Sequence, residues 1–338
     1  MRLVLVRLSA LGDIIHAWPL AEALRQARPD IHLSWVVEEP FQSMVAGHPA
    51  VDSVVTVATK RWRRRPLTAG TRAEVARLRT LFHELQPDVA LDPQGVLKSA
   101  LITRWTGAPR RVGLARPWRR ERIAGLGYTE ALSGSTSYRH VVANNVELVR
   151  AVGGTPPSQL PHPDGRWLLR RSHDVPPGAS ADGNPIVLLP GAGQAKKMLP
   201  VATLAEVGRR LVALPSAVEV AWGPGERERA VAVAAAAGPG VRVAPPTSLD
   251  ELARLLAGAR LVIGGDTGPV HLAASLGVAT LGVYTATDWR RNGPLGPRVE
   301  IASGIPADSA GSVSSPHATP FCEVTADEIV ELALKLLD

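Results

Sequence analysis

One cysteine, three phenylalanines and three tyrosines are all that this chain of 338 residues holds of those types. A lone thiol, Cys322, can neither close an intrachain disulfide nor build a Cys-rich zinc site, which fits a reducing compartment. Aromatic residues make up 4%, poor material for stacking on bases. No helix-turn-helix, zinc-finger, RRM or KH pattern is present either, so nucleic acid is not expected as a partner. Also missing is any apolar run near the roughly 18 residues of a membrane-spanning helix. The apolar opening MRLVLVRLSALGD is interrupted by Arg7 and Asp13 before it reaches signal-peptide length, so a soluble, cytoplasmic protein is expected. No paired-carboxylate DxD motif occurs in a convincing loop, so no metal is expected.

Acid is the remaining shortage. Against 38 Lys and Arg stand 31 Asp and Glu, giving a net charge of +7 and asking for an anionic partner. The excess is uneven: KRWRRR at Lys60 to Arg65 and six arginines between Arg110 and Arg122 both lie in the first half.

At this length two hydrophobic cores are expected rather than one. Short apolar runs at Arg2–Leu8, His32–Val37, Val51–Val57 and Asp88–Leu91 alternate with helical patterns, which argues an α/β fold with a doubly wound parallel sheet. Seven prolines from Pro156 to Pro185 then change the composition to that of a linker, with one extended piece at Trp167–Leu169. From Ile186 the same alternation restarts. The expected division is residues 1–165, a linker at 166–185, a second domain at 186–322 and a terminal helix at 323–338.

The densest chemistry lies in LVIGGDTGPVHLAASLGVATLGVY, Leu261 to Tyr284. A short apolar strand enters a glycine turn, a helix opens at Gly268-Pro269, and a second strand follows Gly277. Unpaired amides and the positive end of a helix dipole then stand at the carboxyl edge of a parallel sheet, which suits a diphosphate. Asp266 and Thr267 read either as ordinary caps or as ligand groups, and His271 as a phosphate-orienting or a packing residue. Pro190-Gly191-Ala192-Gly193 is a second small-residue turn after a strand, with Lys196 and Lys197 beyond it to neutralise a phosphate. It is not a Walker loop. After the strand Val218–Trp222, Glu226 or Glu228 can bind ribose hydroxyls. The turn-rich loop after Tyr284 offers Thr287, Asp288 and Arg290 as further contacts.

In the first half, Asp13 stands where the first strand hands over to its helix, as a cap or as a carboxylate facing a crevice. Lys60–Arg65 is a solvated loop or an anion site, and Lys98, in Asp92-Pro93-Gln94-Gly95-Val96-Leu97-Lys98, is an anion contact or a surface residue. His140 reads as a surface histidine.

GDTGPVHLAASLG resembles the donor-binding signature of the bacterial heptosyltransferases, the lipopolysaccharide-core enzymes of glycosyltransferase family 9. RLSALGDIIHAWP resembles their N-terminal signature, in which the position of Asp13 is the proposed general base. DPQGVLKSAL resembles the motif lining the acceptor side. A Lys-x-x-Pro motif selects Lys197 over Lys196, and WG-x-x-E selects Glu226 over Glu228, whereas Met198-Leu199 departs from the aromatic many members carry before the proline.

The resemblance implies a GT-B fold, two Rossmann-like domains facing across a cleft, with the terminal helix returning to brace the first. It implies a metal-independent, inverting glycosyltransferase without cofactor that moves L-glycero-D-manno-heptose from ADP-heptose to a Kdo sugar of Kdo-lipid A. SALGDIIH and GVLKSA look more like heptosyltransferase I than heptosyltransferase II or another member of family 9. Donor contacts are then expected from Lys197, Glu226, Asp266, Thr267, Gly268, His271, Gly191 and Gly193, and acceptor contacts from Lys60, Arg61, Arg63, Arg64, Lys98 and Arg120. A monomer that visits the anionic inner leaflet of the cytoplasmic membrane electrostatically is expected, with no apolar anchor. A nucleotide-sugar epimerase of the same fold and a non-catalytic anion-binding protein are the rival classes.

Overall fold

A computed structural model describes residues 1–137, 140–170, 184–304 and 323–338. Cys322 and most of the expected linker lie outside the described residues. The chain forms two compact units, Met1–Pro163 and Asp164–Asp338.

The first unit is a six-stranded parallel sheet in the order β3-β2-β1-β4-β5-β6. Its strands are β1 (Arg2–Val6), β2 (His32–Glu38), β3 (Ser53–Val57), β4 (Val89–Asp92), β5 (Arg110–Leu114) and β6 (Glu130–Leu132). α1 (Leu11–Ile15) and α2 (Trp18–Ala27) follow β1, and α3 (Thr59–Arg64) and α4 (Ala69–Leu85) follow β3. α5 (Leu97–Trp105) follows β4, and α6 (Val141–Val146) runs into a 3₁₀ segment at Glu147–Val152. Leu3, Val4, Leu5 and Val6 of β1 are all buried, as a strand covered on both faces requires. The chain lays strands outward from β1 to β3 and then returns to add β4 on the other side. The order therefore reverses between β1 and β4, and the crevice at their carboxyl ends is where open α/β sheets take ligands.

The second unit repeats the plan as β12-β11-β10-β7-β8-β9, again all parallel. It is preceded by α7 (Trp167–Arg170), a helical turn where the composition suggested an extended piece. Trp167 and Leu168 are buried, and the Gly165 amide donates to the Ser275 carbonyl at 2.9 Å, so the start of the linker is part of the second unit. The strands are β7 (Ile186–Leu189), β8 (Val218–Val220), β9 (Val241–Val243), β10 (Leu261–Gly265), β11 (Thr280–Tyr284) and β12 (Val299–Ser303). The helices are α8 (Val201–Leu211), α9 (Arg227–Ala237), α10 (Leu249–Ala257), α11 (Gly268–Ser275), α12 (Trp289–Asn292) and α13 (Ala326–Leu337). Here the reversal falls between β7 and β10.

α13 closes the second unit. Thr325 caps it, accepting from the Glu328 amide at 3.3 Å, as the sequence predicts. Its apolar stripe of Ile329, Val330 and Ala333 is buried in the second unit's own core with Leu204, Leu281 and Ala302. The helix completes that unit's core.

Candidate active site

In the second unit, the loop after β7 and the turn after β10 meet at the switch point. The Lys197 ammonium donates to Asp266 Oδ2 at 2.6 Å. Thr287 donates its hydroxyl to the same oxygen at 2.8 Å, Asn292 reaches both carboxylate oxygens at 3.2 Å, and His271 Nε2 stands 3.9 Å from Oδ1. Burial alone would push the Asp266 carboxyl up, but His271, Lys197 and Thr287 together hold it well below the usual carboxylate range. Asp266 is thus not a helix cap. α11 opens at Gly268 with Thr267 in the N-cap position, and no side chain caps it.

Glycine is required at the turn by proximity. A Cβ on Gly265 would lie 2.9 Å from the Lys197 carbonyl, and one on Gly264 would lie 2.8 Å from the Leu189 Cβ. Neither takes a positive φ; both end β10, and what requires glycine there is the close packing of that strand on Leu189 of β7 and on the Lys197 backbone. The same holds for Gly191, where a Cβ would sit 2.0 Å from the Glu226 carboxylate. Glu226 also accepts from the Gly223 amide at 2.9 Å, while Glu228 is exposed on α9. Gly193 is exposed beyond this contact. Arg229 escaped the sequence reading: its guanidinium donates to the Pro190 carbonyl at 2.8 Å and to the Leu199 carbonyl, holding both ends of the loop that carries Lys197.

In the first unit the switch point gathers the loops after β1 and β4. The Arg7 guanidinium, buried, pairs with the Asp13 carboxylate at 2.7 Å and donates to the Pro93 carbonyl at 3.0 Å. Asp13 is one-third exposed and also accepts from the Ala10 amide at 3.3 Å, so it caps α1 while part of its carboxylate stays open to solvent. Lys98 donates to Ser9 Oγ at 2.8 Å and lies 3.9 Å from the buried Glu38, whose carboxylate accepts from both the amide and the hydroxyl of Thr59. Partial burial lowers the Lys98 pKa. Glu38 opposes the shift, while the nearby charges of Lys60, Arg63 and Arg7 add to it.

The basic run at Lys60–Arg65 is the short helix α3 rather than a loop. Arg61 is taken up by Glu39 and Glu74, at 2.9 Å each, and Trp62 donates to Glu74 at 2.6 Å while packing on the core. That leaves Lys60, Arg63 and Arg64 exposed.

DPQG owes its form to Asp92, another residue the sequence reading did not single out. Its carboxylate, fully buried, accepts from the Gln94 and Gly95 amides at 2.8 and 3.0 Å, from Ser99 at 2.7 Å and from Tyr128 at 2.8 Å. Burial pushes its pKa up, and those four donors pull against it. Gly95 has φ +64°, a conformation that favours glycine, and a Cβ there would also meet the Arg119 Cβ at 3.0 Å. The loop carrying the exposed Arg120 is therefore folded against the acceptor motif. Arg110 and Arg111, two of the six arginines between Arg110 and Arg122, lie in β5. Arg110 pairs with Glu130 at 2.7 Å, and Arg111 donates to the Gly127 and Ala108 carbonyls. His140 is buried and caps α6 rather than lying on the surface.

Two six-stranded parallel sheets, each with polar side chains gathered at its switch point, are the architecture of the GT-B fold. Residues 75–315 match the family model described as glycosyltransferase family 9 (heptosyltransferase). Lipopolysaccharide heptosyltransferase 1 of Pseudomonas aeruginosa is 36% identical over 310 residues, 90% of this chain and 85% of that protein. The structure of E. coli heptosyltransferase WaaC with ADP superposes with a TM-score of 0.78 at 31% identity, covering 89% of this chain and 93% of that one. WaaC with ADP-2-deoxy-2-fluoro heptose gives 0.79 at 29% identity and 99% of both chains. The chain belongs to glycosyltransferase family 9, the heptosyltransferases, and this sets aside both rival classes.

Proposed function

We propose that this heptosyltransferase moves L-glycero-D-manno-heptose from ADP-heptose to a Kdo sugar of Kdo-lipid A, in the manner of heptosyltransferase I, with inversion and without a metal or cofactor. The observation that carries the assignment of roles is Asp13, whose carboxylate is oriented by the buried Arg7 at the carboxyl edge of β1 and still reaches solvent. A general base in that position takes the acceptor hydroxyl proton while its oxygen attacks the anomeric carbon. Negative charge then develops on the departing ADP. Lys197, the first-turn amides of α11 at Gly268 and that helix's dipole stabilise it, with Glu226 at the ribose and Thr267 beside the diphosphate. Asp266 positions Lys197, with His271 beside its carboxylate, and both remain among the proposed donor contacts together with Gly191 and Gly193.

On the acceptor side, Lys60, Arg63, Arg64, Lys98 and Arg120 meet the acidic groups of the Kdo-lipid, while Arg61 holds α3 in place. The enzyme works as a monomer at the cytoplasmic face of the inner membrane. Among the described residues no helix is long and apolar enough to cross a membrane. ADP release from ADP-heptose, with and without Kdo-lipid A, tests the assignment. Asp13→Ala should lower turnover by about 10²–10⁴, the range for one general base, and leave ADP-heptose affinity within about twofold. Loss of donor binding in step with turnover would make Asp13 structural and remove it from the mechanism.

A further inference from the structure

Four large apolar side chains on the first unit are substantially exposed. Leu97 and Leu101, 53% and 43% exposed, are four residues apart on α5 and so share one face. Ile123 and Leu126, 50% and 79% exposed, lie three apart in the 3₁₀ turn Arg122–Gly127, where such residues eclipse. In that turn the buried Ala124 and Gly127 are the residues that face α5; a Cβ on Gly127 would lie 2.7 Å from the Ala100 carbonyl. The Glu121 carboxylate accepts from the Leu97 amide at 2.8 Å, which joins the start of the turn to the start of the helix. The two exposed pairs therefore form one patch. Arg104, on the helix face of Leu101, and Arg120 and Arg122, flanking Glu121, are exposed around it.

An apolar patch of this kind in a cationic frame has the chemistry of a surface that enters the headgroup layer of an anionic bilayer, apolar tips among the acyl chains and guanidinium groups on the phosphates. Its position agrees: Leu97 adjoins Lys98, the side chain bonded to Ser9 in the β1 loop. We propose that Leu97, Leu101, Ile123 and Leu126 form a membrane-docking surface that seats the first unit on anionic lipid, with its acceptor edge toward the bilayer. This rests on the lipid-linked acceptor of the proposed function, and it replaces purely electrostatic visiting with an apolar contact as well.

The test uses the full chain and vesicles of phosphatidylglycerol and phosphatidylethanolamine containing no acceptor. Wild type should float with the vesicles and retain a bound fraction in 1 M salt, on the order of the concentration at which charge attraction is screened within about 3 Å. Ile123→Ser with Leu126→Ser should weaken partitioning roughly thirty-fold, the equivalent of about 2 kcal/mol at tenfold per 1.4 kcal/mol. Both residues are exposed, and unchanged turnover of the double variant on a water-soluble, deacylated Kdo acceptor shows that it folds. Complete release of wild type by salt, or equal vesicle binding by the variant, would overturn the proposal. So would sedimentation showing a wild-type dimer that the variant loses, because the patch would then join two copies of the chain. Failure of the proposed reaction reads out separately, as no transfer to either acceptor by wild type while vesicle binding persists.

Discussion

Replacing Asp266 by Asn keeps the shape of the side chain and removes its charge, leaving the Lys197 ammonium without the carboxylate 2.6 Å away. Removing one partner of a buried ion pair costs about 3–5 kcal/mol. Lys197 is one-fifth exposed and solvent takes up part of its charge, so the loss here is set below that range, at about 2–3 kcal/mol. At about 2–4 °C per kcal/mol for a unit of this size, Asp266→Asn should lower the Tm of the second unit by roughly 5–10 °C at pH 7.

The pH dependence is the sharper part of the test. The folded state holds Asp266 well below its ordinary value of 3.8, so the unfolded chain takes up a proton first on acidification. The carboxylate's contribution is then complete above the unfolded pKa and is lost as pH falls through the lower folded one. Scanning calorimetry of wild type and variant from pH 7 to pH 2 should show a constant difference down to about pH 4 and a narrowing one below it. A difference under about 1 °C at pH 7, or one that widens on acidification, would refute the reading of this site as an ionic lock.

Two further substitutions probe the rest of the machinery. Gly191→Ala places a methyl 2.0 Å from the Glu226 carboxylate and must push it from the Gly223 amide; ADP-heptose affinity should fall about tenfold, equal to 1.4 kcal/mol, in titration calorimetry, and an unchanged affinity would take Glu226 out of the donor site. Tyr128→Phe keeps a ring that fills the space over Gly113 and removes one donor from the buried Asp92, which should cost about 1.5–3 kcal/mol in urea unfolding if Asp92 is charged; a null result would show that the DPQG turn does not depend on that bond.

What the sequence made legible is local. Short apolar runs placed β7, β10 and β11, and the Thr325 cap opened α13 where the pattern put it. Strands disguised by charge were missed. β5 begins Arg-Arg, and its arginines are satisfied by Glu130 and by carbonyls that only the folded chain brings near. The site divides the same way. Asp13, Lys197 and Asp266 stood out in their turns, with the resemblance choosing Lys197 over Lys196, but the partners that tie these loops together are remote in sequence: Lys197 and Asp266 are 69 residues apart, and Arg7, beside Asp13, reaches Pro93 across 86. Asn292 and Arg229 left no local signature at all, since each acts on a loop that passes it only in the tertiary structure.

Net charge misleads for the same reason. A value of +7 suggests a broad positive wall, yet much of the first unit's arginine is internal fastening. Arg7 holds Asp13, Arg25 bonds Asp52 at 2.6 Å along with three carbonyls, Arg61 joins Glu39 to Glu74, and Arg110 and Arg111 brace β5. Each of these cations is already neutralised or turned toward backbone, so little of its field is available to a ligand. Of the residues proposed for the acceptor, Lys60, Arg63, Arg64, Lys98 and Arg120 remain, alongside other exposed arginines such as Arg65, Arg104 and Arg122. A handful of exposed charges attracts an anionic surface but is readily screened at physiological ionic strength, where the Debye length is about 8 Å. Retention of the enzyme at a lipid therefore falls to a contact that salt does not weaken, and in the first unit the exposed pairs on α5 and the neighbouring 3₁₀ turn supply one beside Lys98.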